Sequence, residues 1–121
     1  MKEAEAQKML FEWAAIMYRS LPGIELLFHI PNGGSRSGPI EGKHLKDQGV
    51  KAGVPDLFLP VPRGKYHGMF IEMKRDTKSK LRPEQRQWLD ALMEQGYMTA
   101  VAYGYEDAVY RIQNYLNKEK S

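Results

Sequence analysis

In the stretch GVKAGVPDLFLPVPRGKYHGMFIEMKRD, residues 49–76, Asp56 follows a Gly-Val-Pro turn, and Glu72 and Lys74 stand two positions apart in an apolar run. Side chains alternate faces along a strand. Leu57, Leu59 and Val61 therefore share one face, with Asp56 and Phe58 on the other; in the second run Met69, Ile71 and Met73 oppose Phe70, Glu72 and Lys74. An antiparallel hairpin centred on Gly64 sets Phe58 opposite Phe70 and Asp56 opposite Glu72, at the end far from the turn. Pro60 and Pro62 interrupt pairing near that turn, and one bulge there would shift the register. Two carboxylates at a cross-strand distance of ~5 Å repel unless a cation lies between or beside them. Lys74 supplies one positive charge. A divalent metal supplies two, and oxygen donors of this kind suit Mg²⁺ or Mn²⁺, with water and substrate phosphate filling the remaining positions. The competing reading is a solvated Glu72–Lys74 ion pair, with Asp56 only capping the turn after Pro55.

The elements that must position these residues follow from periodicity. Residues 3–19 read as a helix, because Leu10, Trp13, Ala14 and Met17 recur at three- and four-residue spacing and Leu21-Pro22-Gly23 ends the pattern. IELLFHI (24–30) reads as a strand, PNGGSRSGPIEG (31–42) as a loop, and KHLKDQG (43–49) as at most a short helix closing on Gly49. Strands follow over 55–61 and 68–74, then a helix from Pro83 to Gln95 stopped by Gly96. A strand over 97–104 and a helix over 106–117, with Val109, Ile112 and Leu116 inward, complete the chain. The order α-β-β-β-α-β-α predicts a mixed sheet flanked by helices.

Composition bounds the function classes. At 121 residues the chain is expected to form one domain. No stretch reaches the ~18 apolar residues of a membrane span, and MKEAEAQKMLFEW does not read as a secretory signal. The absence of cysteine excludes disulfides and thiolate metal sites and suits a cytoplasmic protein. The 18 Lys and Arg against 15 Asp and Glu give a net charge of +3, a mild bias toward polyanions.

At the acidic cluster the sequence resembles a known family. GVPD, a hydrophobic strand and IEMK resemble the PD-(D/E)xK nuclease motif. GVKAGVPDLFL, with HIPNGG upstream and RPEQRQWLDAL downstream, is similar to its VRR-NUC branch. That branch includes short stand-alone phage and bacterial proteins and the C-terminal domain of the Fanconi-associated nuclease. The likeness runs from Glu12 to the final helix. It implies an α/β, restriction-endonuclease-like mixed β-sheet flanked by α-helices, a single VRR-NUC nuclease domain over 1–121, and a bacterial or phage-infected cell as its setting.

The resemblance assigns Asp56 and Glu72 as ligands of Mg²⁺ or Mn²⁺, with the Met73 backbone carbonyl completing the protein's share. It makes Lys74 the catalytic lysine, Gln85 the glutamine that holds the lysine or the phosphate, and Glu12 the N-terminal acidic residue that meets the metal directly or through water. Each has a competing reading. Glu12, between Phe11 and Trp13, suits a solvated helix face; Gln85 has Gln87 as rival; His29 is either a core histidine or a neighbour of the scissile phosphate. His44 and His67 read as surface residues. Asn32, Gly33 and Gly34 either let the backbone approach DNA or only form a turn, and Arg36 adds a cation to that loop. Lys78, Lys80, Arg82 and Arg86 make either a solvated face or a phosphate track. Arg82 stands where a Ser or Thr cap is expected, which leaves a weak cap and an arginine free for a phosphate.

These readings converge on a metal-dependent DNA endonuclease acting as a homodimer on four-way junctions. Tyr97, Tyr103, Tyr105 and Tyr110 are its interface candidates. A flap- or end-processing nuclease and a non-catalytic DNA-binding module are the alternatives.

Overall fold

The computed structural model describes residues 1–31 and 39–120, and for residues 39–42 the backbone alone. Its elements are α1 (Glu3–Met17), a 3₁₀ turn (Ile24–Leu26), β1 (Phe28–His29), α2 (Pro39–Asp47), β2 (Leu57–Leu59), β3 (Met69–Lys74), α3 (Pro83–Glu94), β4 (Met98–Tyr103) and α4 (Tyr105–Leu116). Four strands form one mixed sheet in the order β1-β2-β3-β4. The first two pairings are antiparallel; β3 and β4, joined through α3, run parallel. Among the described residues no helix is long and apolar enough to cross a membrane.

The expected strand parity places the core. Leu57, Leu59, Val61, Met69, Ile71 and Met73 are buried with Leu10 and Ala14 of α1 and with Ala108 and Ile112 of α4. Small residues on β4, Ala100 and Ala102, stand opposite Ile71 and Met73 and let the helices approach that strand. The other face carries Phe58, Phe70, Glu72 and Lys74 and meets α3 through Gln85 and Leu89. One sheet face is therefore an apolar core and the other holds the polar cluster.

The hairpin has the expected register, with Phe58 opposite Phe70 and Leu59 opposite Met69. Only at the turn does it slip by one, where Arg63 bridges Tyr66. The strand expected over 24–30 is reduced to two residues. Gly23 takes φ +103, its N–H donates to Glu25 Oε1 at 2.9 Å, and the chain winds into the 3₁₀ turn before it can extend. β2 is likewise shorter than 55–61, because Pro55, Pro60 and Pro62 have no N–H to give a ladder. Conversely α2 begins at Pro39, four residues before the expected start at 43, since proline is well suited to a first helical turn.

Candidate active site

Asp56 sits just before β2, held by its backbone and its carboxylate. Its carbonyl accepts from the Ile30 N–H at 2.7 Å and lies 2.9 Å from His29 Nδ1. Its Oδ2 accepts from the Met73 N–H at 2.7 Å, so β3 aims the carboxylate across the hairpin. Glu72, 3% exposed, accepts from Gln85 Nε2 at 3.2 Å and faces the same cleft as Asp56. Lys74 Nζ lies 3.8 Å from Glu72 and donates to Gln85 Oε1 at 2.9 Å. Gln85 Oε1 also accepts from the Arg82 N–H at 2.9 Å, the reciprocal half of a capping box at the start of α3. A single buried glutamine thus ties carboxylate, ammonium and helix end together.

The charges in this network do not balance on their own. Burial above all, then the Asp56 charge and the hydrogen bond with Asp56, push the Glu72 carboxyl up to about 8; Lys74 opposes the rise and Glu3 adds a little to it. Beside the Asp56 carboxylate, Glu72 therefore favours its protonated form. Among the described residues no three His, Cys, Asp or Glu side chains stand close enough to hold a metal by themselves. Two carboxylates with open coordination suit a hydrated Mg²⁺ or Mn²⁺, which keeps several waters, and the donor chemistry therefore fits.

A cleft of about 400 Å³ opens over the pair, lined by Asp56, Glu72, Lys74 and Gln85 with Glu3, Val54, Lys80 and Arg82. The GVPD turn is pressed onto α3 to form it. Gly53 takes φ +91, and a Cβ there would stand 2.7 Å from the Glu84 backbone; Trp88 Nε1 donates to the Ala52 carbonyl at 3.1 Å. Only glycine permits this approach.

The structure brings together Asp56, Glu72, Lys74 and Gln85, with Lys80 and Arg82 at the rim. It does not bring Glu12. That residue is exposed on α1, nine positions and so half a turn round the helix from Glu3, which does line the cleft. Glu3 was legible in principle: it lies seven residues before Leu10 and hence on the buried stripe, whereas Glu12 lies off it. Gln85 is buried and accepts from Lys74, whereas Gln87 is exposed. His29 is exposed and no core histidine; His44 and His67 are exposed as expected.

Arg82 is not the free cation expected, because it pairs with Glu84 at 3.3 Å on the surface. Arg86 pairs with Asp90 at 3.9 Å and does not line the cleft. Lys78 is exposed on the loop before α3, and the Met73 side chain is buried in the core, leaving only its backbone for a ligand role. Asn32, Gly33, Gly34 and Arg36 lie outside the described residues.

The model of the VRR-NUC domain family matches residues 17–106. A solved structure described as a VRR_NUC domain protein superposes with a TM-score of 0.83 at 31% identity, covering 99% of this chain and 92% of that one. No curated protein matches.

Proposed function

Starting from the fact that the chain belongs to the VRR-NUC family, we propose that it is a Mg²⁺- or Mn²⁺-dependent endonuclease of the PD-(D/E)xK type that hydrolyses DNA phosphodiester bonds. The observation that carries the reading is the pair of half-buried Asp56 and buried Glu72 facing a cleft, with Lys74 held by Gln85. A structural core gains nothing from such a pair, since a buried Glu72 beside a second carboxylate costs more than apolar residues of the same volume. The same cost argues against a DNA-binding module without activity.

Asp56 and Glu72, with the Met73 carbonyl, would hold the ion, which when bound supplies charge on the scissile phosphate and a water of lowered pKa. Lys74, fixed by its bond to Gln85, presents an ammonium that orients the attacking water and offsets charge on the pentacovalent phosphorus. Lys80 binds the phosphate beside the scissile one, and Arg82, paired with Glu84, lines the rim. In-line attack expels the 3′ oxygen and leaves 5′ phosphate ends. A bacterial or phage-infected cytoplasm suits a chain without cysteine.

The active unit in this reading is a two-fold dimer that cuts four-way junctions symmetrically. Its support is an aromatic patch on the face of the sheet that also bears Glu72. Phe58 and Phe70 stack at 4.2 Å, Tyr97 packs edge-on to both, and Phe28 beside them is 48% exposed. Purified protein incubated with either metal and a panel of linear, flapped and four-way DNAs tests the proposal. Metal-dependent symmetric cutting of the junction, with a light-scattering mass of twice 13.9 kDa, is expected. A mass near 13.9 kDa with equal cutting of flaps and junctions would remove the dimer and the junction preference; no cutting of any DNA would remove the enzyme.

A further inference from the structure

Beside the catalytic cleft lies a second groove, of about 480 Å³, walled chiefly by Ile30, Pro31, Val50, Lys51, Val54 and Trp88. Val54 lines both. The volume falls within the ~300–1,000 Å³ of small-molecule sites, and most of the wall is apolar. Three segments build it. The end of β1 is pinned by the Ile30 N–H on the Asp56 carbonyl; the turn after α2 passes through Gly49 at φ +101, with open space where its Cβ would be; and α3 contributes Trp88, whose N–H is taken by Ala52. Trp88 lies one turn along α3 from Gln85, so one helix carries both the indole and the amide that holds the catalytic lysine.

The chemistry assigned to the cleft leaves this groove without a role, and its cations Lys80 and Arg82 are not among the groove's walls. A mostly apolar groove with an indole and Gln48 in its wall and the exposed Lys51 at its rim matches one nucleotide, whose base is apolar on its faces and polar at its edges and whose phosphate is anionic. Continuity through Val54 puts that nucleotide next to the one being cut. We propose that the groove receives a single unpaired nucleobase of the DNA, stacked against Trp88, adjacent to the scissile phosphate, with Lys51 on its backbone. This rests on the nuclease reading for the position of the phosphate. A base locked in duplex must first leave its stack, whereas one already unpaired at a branch or gap enters without that cost. In a fully paired four-way junction the base at the crossover must first leave its stack, so the groove adds a preference for an unpaired base to the choice of junction made by the dimer.

The test uses binding without metal, in EDTA, and so is independent of cleavage. Trp13→Phe leaves Trp88 as the sole tryptophan, because the chain has two. This protein is titrated with a forked oligonucleotide, with the same fork made abasic at each unpaired position next to the branch in turn, and with paired duplex. Expected are quenching of Trp88 fluorescence by the fork alone and a roughly 5- to 150-fold loss of affinity at one abasic position, the range for a base stacked on an aromatic ring. Val50→Asp, in the groove wall and outside the cleft, should erase that loss; should this variant not fold, the abasic comparison decides. Equal affinity for fork and every abasic fork, with unchanged Trp88 fluorescence, overturns the proposal. Base-dependent binding in EDTA, with no cutting of the same fork once Mg²⁺ or Mn²⁺ is added, would overturn only the nuclease reading, and no binding to any DNA would overturn both.

Discussion

Glu72 and Gln85 carry the sharpest expectations at the scale of single residues. Burial and Asp56 raise the Glu72 carboxyl from 4.5 to about 8, so between those values the folded, metal-free protein holds a proton that the unfolded chain has released. Its contribution is full below about pH 4.5 and is lost as pH rises through about 8, with a slope of up to ~1.4 kcal/mol per pH unit for one proton. Thermal melts in EDTA should therefore show Tm falling from about pH 5 to pH 8, and Glu72→Gln should flatten that fall; a melting temperature that rises over the window in wild type contradicts the protonated Glu72. Metal loading must displace this proton. Calorimetric Mn²⁺ titrations in buffers of different ionisation enthalpy at neutral pH should accordingly report close to one proton released by wild type and none by Glu72→Gln. Gln85→Ala strands a buried carboxyl and ammonium together, and should cost about 2 kcal/mol in urea unfolding, while the exposed Gln87→Ala stays within ~0.5 kcal/mol.

Elements show where pattern suffices and where it does not. Strand parity alone separated Leu57, Leu59, Met69 and Ile71 from Glu72 and Lys74, because burial on one face is written directly into alternation. The paired carboxylates were legible for the same reason. Segment 24–30 was not, since a local hydrogen bond from Gly23 to Glu25 outcompetes an apolar run that propensity reads as strand. Glu12, which the resemblance assigned to the site, lies away from the cleft, whereas Glu3, on the α1 stripe that carries Leu10, lines it. Glycines offer an element-scale test. Gly53 and Gly49 both have positive φ, yet a Cβ at Gly53 meets the Glu84 backbone at 2.7 Å and one at Gly49 meets nothing within 4 Å. Gly53→Ala should destabilise by more than about 2 kcal/mol and displace the Asp56 loop, and Gly49→Ala by only ~1 kcal/mol of strain. Chemical denaturation that ranks them in the opposite order would contradict the close packing of the GVPD turn on α3.

For the whole molecule, the tyrosines expected at an interface divide. Tyr97 and Tyr105 pack on the protein's own rings and core, whereas Tyr110 is 63% exposed and Tyr103 lies at the surface. The aromatic patch reaches the surface at Phe28, which no tyrosine count revealed, because its partners Phe58 and Phe70 lie far off in sequence. If that patch pairs two copies, Phe28→Asp should halve the light-scattering mass and abolish paired cuts while leaving single cuts; an unchanged mass places any interface elsewhere. The nuclease reading stands or falls, however, on whether the Asp56–Glu72 site cuts DNA. The most direct measurement is the single-turnover cleavage rate of a branched DNA in Mg²⁺ by wild type and by Glu72→Gln, which keeps the shape and hydrogen bonds of the site but cannot supply the second carboxylate. A rate at least ~10²-fold lower in a variant that melts at or above the wild-type temperature at about pH 8 is the predicted result; cutting by Glu72→Gln at the wild-type rate would contradict it.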